Sequence, residues 1–376
     1  MHICLITPSF PPMVDGGVAI ATGRLVERLL QRGHRVTVLT SELPSPAVAA
    51  THHTLCASGH LALHGGLVQD PLHDETAVAD LCRWAQAQRQ PFDVFLAYFA
   101  YPGGYVATVL AQHLGLPVVC SCRGNDVSKD LFIAPQTLAT VLQRSTRLLF
   151  VSDSLLRMAD TLVPCRAKSA VVANAVDCDR FTPSPGAEQP SSKTVVLGTS
   201  GLMRWKKGLE LFLPLMRDLC ATHDVRFLIA GYALEAAVDQ HIAAFLAHHG
   251  LRGRLDMLGP LPHEHMAEAL HRLDIYVTTS YQEGMPNGVL EAMACALPVV
   301  ATAADGIPQL VEDGVTGYLC AVGDVEAVAA RCRQLIGHPA LRRHLGQAGR
   351  RRVQQHFHPD HEAALIEEVL RLACTA

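Results

Sequence analysis

Two carboxylates are the residues of this sequence best placed to do chemistry. Glu283 and Glu291 stand eight residues apart, and the apolar run that ends at Thr279 predicts a strand just before them. Glu283 should therefore lie in a loop, and Glu291 in the first turns of a helix that starts near Asn287. On spacing alone the pair suggests acid–base chemistry or a double displacement. The plainer alternative is that both acids complement a helix N-terminus, worth about 0.3–1 kcal/mol.

The segment between the two glutamates favours ligand binding over that alternative. Gly284, Pro286 and Gly288 fix a tight backbone path beside the carboxylates. Carboxylates accept hydrogen bonds from hydroxyl groups, and the N–H groups at the start of a helix bind phosphate. A ligand that carries both a sugar and a phosphate needs both kinds of contact within a few ångströms.

A cluster of cations opens the helix that is predicted after the strand at 194–199. The sequence SGLMRWKKGL at 200–209 places Arg204, Lys206 and Lys207 at that helix N-terminus. Cations in this position oppose the helix dipole, whereas a bound diphosphate would reverse the cost through charge-assisted hydrogen bonds. A solvated basic turn is the alternative.

Two adjacent glycines stand between the first predicted strand and its helix. Gly16 and Gly17 let the backbone approach a ligand closely, and the helix that begins near Val18 offers N–H groups to an anion. This signal is weak by itself, because glycine often makes a purely structural turn here and the G-x-G-x-x-G pattern is absent.

The elements that must position these residues alternate between short apolar strands and amphipathic helices, which is typical of parallel α/β units. The first half predicts strands at 2–7, 35–40, 94–98, 117–121, 147–151 and 169–173, and helices near 18–31, 104–114, 136–143 and 153–161. The second half predicts strands near 194–199, 225–230, 254–258, 274–279, 298–301 and 317–320, and helices near 207–221, 235–248, 263–271, 288–296, 324–336, 340–355 and 360–373.

The clearest break in the chain is the proline- and serine-rich stretch 182–193, which predicts an interdomain linker. It divides an N-terminal domain at 1–181 from a C-terminal domain at 194–356, with a last helical segment at 357–376. We expect two Rossmann-like parallel-sheet domains facing across a cleft, with ligands beyond the carboxyl ends of the strands.

Composition excludes several classes of protein. The formal net charge of −4 gives no basic excess for nucleic acid. Twelve cysteines in 376 residues are expected to be buried free thiols in a reducing compartment, not a disulfide framework or a metal site. The chain starts directly on a strand pattern and has no apolar run of about 18 residues, so a cytoplasmic protein is expected.

Two further segments allow more than one interpretation. Residues 42–75 are irregular and contain histidines at 52, 53, 60, 64 and 73; a variable surface insertion is favoured over a metal site. Residues 327–359 contain seven arginines and no acid; a solvated helical face is favoured over contact with anionic lipid.

A resemblance to a known family extends these observations. The segment EGMPNGVLEAMACALPVVATAADGIPQLVEDGVTGYL, which begins at Glu283, resembles the E-x7-E region of retaining glycosyltransferases with the GT-B fold, particularly glycosyltransferase family 4. Further matches occur in the family's order over nearly the whole chain, at 16–17, at Arg123-Gly-Asn-Asp126, at Val172-Ala-Asn-Ala-Val-Asp177 and at Lys207-Gly208.

The resemblance implies a role for each matching residue. Lys207, with Arg204 as its arginine partner, would bind the donor diphosphate and stabilise it as a leaving group. Glu283 would hold the transferred sugar and Glu291 the ribose hydroxyls. The other donor-binding positions that the resemblance implies are Gly16, Gly17, Arg123, Asn174, Gly284, Pro286 and the backbone amides of Asn287, Gly288 and Val289.

The chain departs from the family pattern at four positions. Gly201 stands where many relatives have an arginine that binds the donor phosphate, and we predict that Arg204 takes its place. Arg123 replaces the usual histidine before Gly-x-Asp, so a histidine–sugar contact is not expected. Ala175 and Ala296 replace common glycines, which predicts slightly different local backbone geometry.

The function implied is metal-independent transfer of a hexose-type sugar from a UDP- or GDP-sugar to a glycan, lipid-linked or small-molecule acceptor, without a cofactor. Configuration would be retained through a front-face route in which the leaving phosphate deprotonates the acceptor. Two alternatives stay open: a sugar-nucleotide epimerase of the same fold, and a sugar-nucleotide-binding protein without catalysis. Peripheral membrane association is also left open.

Overall fold

The computed structural model describes residues 1–11, 17–42, 60–185, 194–233 and 235–376. These residues divide into two compact units. The first unit comprises Met1–Asn174 together with Pro359–Ala376, and the second unit comprises Ala175–His358. Most of the predicted linker at 182–193 lies outside the described residues, as do Gly16 and two of the histidines of the 42–75 segment.

The first unit is built on a parallel sheet, and its described residues form seven strands in the order β3-β2-β1-β4-β5-β6-β7. The sheet reverses its direction of growth between β1 and β4, as in Rossmann-like domains. Its strands are β1 (His2–Ile6), β2 (Arg35–Leu39), β3 (Leu61–His64), β4 (Val94–Tyr98), β5 (Val118–Cys122), β6 (Arg147–Phe150) and β7 (Ser169–Val171).

Helices follow most of these strands, as right-handed crossovers between parallel strands require. Those of the first unit are α1 (Gly17–Gln31), α2 (Glu75–Gln86), α3 (Tyr105–Leu114), α4 (Asn125–Ser128), α5 (Asp130–Ile133), α6 (Pro135–Arg144) and α7 (Asp153–Leu162).

The last helix of the chain also belongs to the first unit; we number it α15 (Pro359–Cys374). Its apolar side contributes Ile366 and Leu370 to the same hydrophobic core as Leu25 of α1. Ion pairs lie along the edge of this contact: Arg24 of α1 donates to Glu362 at 2.7 Å, and Arg32, the residue after α1, donates to Glu367.

The second unit repeats the same architecture with six strands among its described residues, in the order β10-β9-β8-β11-β12-β13. The reversal here falls between β8 and β11. The strands are β8 (Val195–Ser200), β9 (Val225–Ala230), β10 (Leu255–Met257), β11 (Ile275–Thr278), β12 (Val299–Thr302) and β13 (Gly317–Cys320).

The helices of the second unit pack on this sheet around a core of Leu, Val, Ile and Phe side chains. They are α8 (Leu209–Thr222), α9 (Ala236–His248), α10 (Met266–Leu270), α11 (Asn287–Ala294), α12 (Ile307–Leu310), α13 (Val325–Gly337) and α14 (Pro339–His356).

The prediction of two Rossmann-like parallel-sheet domains is confirmed. Every strand and helix predicted from the sequence is present within a few residues. The structure adds β3 inside the segment that we expected to be irregular, together with α2 and the short helices α4, α5 and α12. In the 42–75 segment, His64 ends β3 and stacks on Trp84 at 4.2 Å between ring centroids, so it has a packing role.

The arginine-rich stretch 327–359 is partly structural, which neither sequence interpretation foresaw. Arg342 donates to the carbonyl of Leu335 at 2.7 Å, and Arg352 to that of Leu310 at 2.8 Å. Arg350 donates to the carbonyls of Phe181 and Ala294. Three of these carbonyls, those of Leu335, Leu310 and Ala294, lie in the last turns of helices, where arginine side chains commonly bind.

In the described ranges, no helix combines the length and the hydropathy needed to cross a bilayer. The described cysteines are free thiols, and most of them are buried. Burial raises the pKa of the Cys295 thiol to about 12, which keeps it protonated and unreactive at neutral pH.

Candidate active site

The candidate site of the second unit lies where its sheet reverses. β8 and β11 are neighbours, with Ile275 paired to Leu197, so the segments that follow them meet at one edge of the sheet. Thr279 fastens the two segments together, because its hydroxyl donates to the carbonyls of Lys207 and Gly208 at 3.1 and 2.9 Å.

Gly208 makes this close approach possible. Its φ is +67°, and a Cβ built there would lie 1.9 Å from the carbonyl oxygen of Thr279. No other residue fits this position without moving the backbone. The glycine of the Lys207-Gly208 motif therefore sets the distance between the two strand ends, and with it the position of Lys207.

Lys207 and Glu283 form the central contact of the site. The Lys207 Nζ lies 2.5 Å from Glu283 Oε1, and the Ser280 hydroxyl donates to the same oxygen at 3.0 Å. The backbone N–H of Glu283 donates to Asp305 Oδ2 at 2.8 Å. Glu283 is thus fixed by groups from the ends of β8, β11 and β12.

The two charges of this pair hold each other ionised. Burial opposes the charged form of Lys207, but the Glu283 carboxylate outweighs it and raises the pKa of Lys207. Burial likewise opposes the charged form of Glu283, but Lys207 and then Lys206 lower the pKa of that carboxyl. The pair is therefore an ammonium–carboxylate pair at neutral pH.

Two more cations accompany Lys207. Burial lowers the pKa of Lys206, with Lys207 and Arg204 adding to the effect and Glu283 opposing it. The Nε atom of Arg204 is buried, and within the described chain it has no hydrogen-bond partner. Lys206 is attracted by both Glu283 and Asp305, so the buried Nε–H of Arg204 is the group best placed to take an anionic ligand.

The helix α11 begins at Asn287, as predicted, with Pro286 at its N-cap and no side-chain cap. It packs directly on the strand ends, since a Cβ on Gly288 would lie 2.5 Å from both Ser200 Oγ and Tyr276 Oη. The N–H of Val289 donates to Pro286 O at 3.2 Å. The Val289 amide, predicted as a donor contact, is thus engaged within the helix. Without a capping side chain, the amide of Gly288 can donate to an anion.

Glu291 lies in the second turn of α11 and is largely buried. Its Oε1 is 3.1 Å from Nε2 of His263. His263 begins a single 3-10 turn, His263–His265, that precedes α10. The sequence did not single out His263, Ser280 or Asp305.

The predicted residues of the first unit form a second cluster. Arg123 donates from Nη2 to Asn174 Oδ1 at 2.5 Å, and its guanidinium lies 4.6 Å from the ring centroid of Tyr98. Asp126, buried, accepts the backbone N–H of Arg123 at 2.9 Å and shapes this loop. Burial raises the pKa of the Asp126 carboxyl despite these backbone bonds.

The sequence-predicted residues thus fall in three places. Arg204, Lys207, Glu283, Gly284, Pro286, Asn287, Gly288, Val289 and Glu291 belong to the second unit, and Arg123 and Asn174 to the first. Gly17 is the exposed first residue of α1, and Gly16 lies outside the described residues. In the described part of the chain, no three His, Cys, Asp or Glu side chains could together hold a metal ion.

Comparison with known proteins gives the class of this chain. The family model described as glycosyl transferases group 1 matches residues 184–352, and the model of Glycosyltransferase Family 4 matches residues 15–180. The N-acetyl-alpha-D-glucosaminyl L-malate synthase of Bacillus anthracis is 24% identical over 372 residues, covering 95% of this chain and 94% of that protein. A glycogen synthase of Mycobacterium tuberculosis is 26% identical over 394 residues, covering 95% and 91%.

Solved structures share the fold. Anabaena HepE in complex with UDP has a TM-score of 0.80 at 18% identity, covering 99% of this chain and 100% of that one. HepE in complex with UDP-glucose has a TM-score of 0.80 at 19% identity, covering 98% and 99%. With its two Rossmann-like sheets and a glycosyltransferase model matched to each half, this chain is a glycosyltransferase of the GT-B type.

Proposed function

We propose that this protein is a retaining, metal-independent glycosyltransferase of family 4 that transfers a hexose-type sugar from a UDP- or GDP-sugar. The observation that carries the proposal is the largely buried Lys207–Glu283 pair beside the uncapped start of α11. It brings a cation for the diphosphate, a carboxylate for sugar hydroxyls and amides for phosphate oxygens to one edge of a sheet.

The balance of charge supports a diphosphate ligand. Lys207 is paired with Glu283, Lys206 lies between the attraction of Glu283 and Asp305, and Arg204 adds a guanidinium whose buried Nε has no hydrogen-bond partner among the described residues. A diphosphate would take hydrogen bonds from Lys207 and Arg204, which also stabilise the negative charge that develops as it leaves. These side chains supply what a divalent cation supplies in other enzymes, so we propose metal-independent transfer with no cofactor.

The two glutamates then act as a clamp on the donor and not as an acid–base pair. Glu283, fixed by Ser280 and by its backbone bond to Asp305, would accept hydrogen bonds from the hydroxyls of the transferred sugar. Glu291, in the second turn of α11, would accept those of the ribose. Arg123, Asn174 and the segment of Gly16 and Gly17 would contribute contacts from the first unit.

The reaction needs no enzymic nucleophile. The bond from the anomeric carbon to the phosphate oxygen breaks, and the acceptor oxygen bonds to the same face of that carbon. The acceptor proton passes to an oxygen of the departing phosphate, which leaves as the nucleoside diphosphate. The chain's own part is to hold the diphosphate with Lys207 and Arg204 while charge develops on it.

The test starts from the donor. UDP- and GDP-hexoses are screened by thermal shift, where a donor at 100 times its dissociation constant should add about 2.7 kcal/mol of stability. The donor found is then labelled in its sugar and incubated with glycan, lipid-linked and small-molecule acceptors, with and without EDTA. We expect EDTA-resistant transfer that retains the anomeric configuration, measured by NMR of the product.

A matched pair of variants separates the site from the rest of the surface. Glu291→Ala should weaken donor binding at least tenfold, because it removes hydrogen bonds to a charged acceptor. Glu326→Ala, at an exposed glutamate of α13 in the same unit, should leave binding unchanged. Equal affinity of the two variants, or an inverted product, would contradict the proposal.

The same incubation addresses the other functions considered. Conversion of the donor to an epimer without an acceptor would indicate an epimerase, and binding without turnover a sugar-nucleotide sensor. We propose a cytoplasmic location, which the free thiols of the described cysteines favour. Partitioning onto anionic liposomes at two salt concentrations would test peripheral membrane association.

A further inference from the structure

The donor-binding role of Glu291 does not by itself account for its contact with His263. Their side chains are only 10% and 16% exposed, and Nε2 of His263 lies 3.1 Å from Oε1 of Glu291. Among the described residues, this is the one hydrogen bond that the Glu291 carboxylate makes. The orientation of the carboxylate in α11 is therefore set by His263.

Arg180 fixes which nitrogen of the imidazole carries the proton. Its Nη1 lies 3.3 Å from Nδ1 of His263. A guanidinium group can only donate hydrogen bonds, so Nδ1 must be the acceptor. A neutral imidazole with an accepting Nδ1 has its proton on Nε2, and this Nε2–H group donates a hydrogen bond to Glu291.

The segment that carries Arg180 is anchored to the helix that carries Glu291. The ring of Phe181 packs on the imidazole of His263 with 5.4 Å between centroids. Arg350 of α14 donates to the carbonyls of Phe181 and Ala294. Because Ala294 is the last residue of α11, the imidazole and the carboxylate are held in one frame.

We propose that His263 is the positioning residue of Glu291: it holds one carboxylate oxygen and leaves the other to accept hydrogen bonds from the ribose of the bound nucleotide. This inference rests on the proposed donor-binding role of Glu291. A carboxylate preset in this way loses less rotational freedom on binding, so the preference for a ribonucleotide over a dideoxynucleotide depends on His263.

The experiment measures nucleotide binding to the full chain by calorimetry. UDP, GDP and their 2′,3′-dideoxy analogues are titrated into the wild type, His263→Ala, His263→Gln and Arg180→Ala. His265→Ala is the matched control, because His265 is an exposed histidine of the same turn that faces Glu268. Thermal melting of each variant monitors folding.

We expect His263→Ala to weaken binding of the preferred ribonucleotide about tenfold, the loss of one hydrogen bond to a charged group. Binding of the dideoxy analogue should change less than twofold, since it offers nothing to Glu291. His263→Gln, whose amide can donate in place of Nε2–H, should recover most of the affinity. Arg180→Ala, at the surface, should cause a loss of about threefold, and His265→Ala none.

The outcomes distinguish a failure of the proposed donor site from a failure of the role assigned to His263. If neither UDP nor GDP binds the wild type, the proposed donor site is wrong and the role of His263 falls with it. If a nucleotide binds and Glu291→Ala weakens it, but His263→Ala matches His265→Ala, only the inference about His263 is overturned. Equal losses for the ribo- and dideoxynucleotide would also overturn it, because they indicate a general structural role. Should His263→Ala fail to fold, the loss in Arg180→Ala and the affinity of His263→Gln decide in the same way.

Discussion

At the scale of single residues, the Lys207–Glu283 pair couples stability to function. Both groups are largely buried and lie 2.5 Å apart, so removing one partner leaves the other charge without compensation. We predict that Lys207→Ala lowers the free energy of unfolding by about 2–3 kcal/mol. It should also lower the rate of transfer by about 10²–10³, the usual effect of removing one group that stabilises a leaving charge.

A double variant separates these two effects. Lys207→Met with Glu283→Gln removes both charges, so it should recover most of the lost stability while transfer stays low. Urea unfolding and the labelled-donor assay measure the two quantities. Transfer near the wild-type rate in the double variant would show that the pair is structural only.

The sequence marks the charged residues of the candidate site but not the groups that orient them. Glu283, Glu291 and Lys207 are marked by their types and their neighbours. Asp305 and His263 carry no such signal, because each follows a different strand from its glutamate and meets it only through the order of the sheet. Ser280 stands three residues before Glu283 in the same loop, but a lone serine forms no pattern that marks it.

At the scale of elements, most strands and helices could be predicted from the sequence, because apolar runs and helical periodicity are local signals. β3 was missed because its four residues stand in a stretch of glycines and histidines. The sequence does carry a signal for α2: Asp74 caps the helix by accepting from Ala77 N, and Val78, Leu81, Cys82 and Ala85 face the core. Short α4, α5 and α12 lack the length for a periodic pattern.

The end of α11 offers a prediction about backbone strain. Ala296 follows the C-cap with a φ of +59°, a conformation that costs an L-residue about 1–2 kcal/mol. Ala175, the other alanine expected to change the backbone, has no such conformation. Ala296→Gly should therefore raise the free energy of unfolding by about 0.5–1 kcal/mol, because the strain that it relieves exceeds the stabilisation that glycine gives the unfolded chain through its extra conformational entropy.

The control for this prediction lies in the same helix. Ala292 is buried in the right-handed interior of α11, so Ala292→Gly should cost about 1 kcal/mol or more. Denaturant unfolding compares the two glycines. A loss of stability in both variants would contradict the strain assigned to Ala296.

The contact of α15 with α1 predicts a dependence on pH. Burial opposes the charge on Glu367, but the hydrogen bonds from Arg32 and then Arg371 lower the pKa of its carboxyl to about 2. A depressed folded-state pKa gives stability that is present above the unfolded value of about 4.3 and lost as the pH falls toward 2. Glu367→Gln should lower the free energy of unfolding by about 1 kcal/mol at pH 7, and the difference from wild type should shrink through that window. A constant difference from pH 7 to pH 2 would contradict this assignment.

At the scale of the whole molecule, each unit has its own sheet and its own hydrophobic core. The residues that we assign to the diphosphate and the ribose all lie in Ala175–His358. So does Glu283, whose carboxylate we assign to the transferred sugar. We therefore predict that residues 175–358, expressed alone, fold cooperatively and bind UDP or GDP. The affinity should be about tenfold weaker than that of the full chain, because Arg123, Asn174 and the Gly16–Gly17 segment are missing. The isolated unit should not transfer sugar.

Calorimetry with the nucleotide, a single melting transition and the labelled-donor assay test this together, and Lys207→Ala in the isolated unit is the control for specific binding. A folded unit that binds neither nucleotide would show that the donor site needs residues of the first unit.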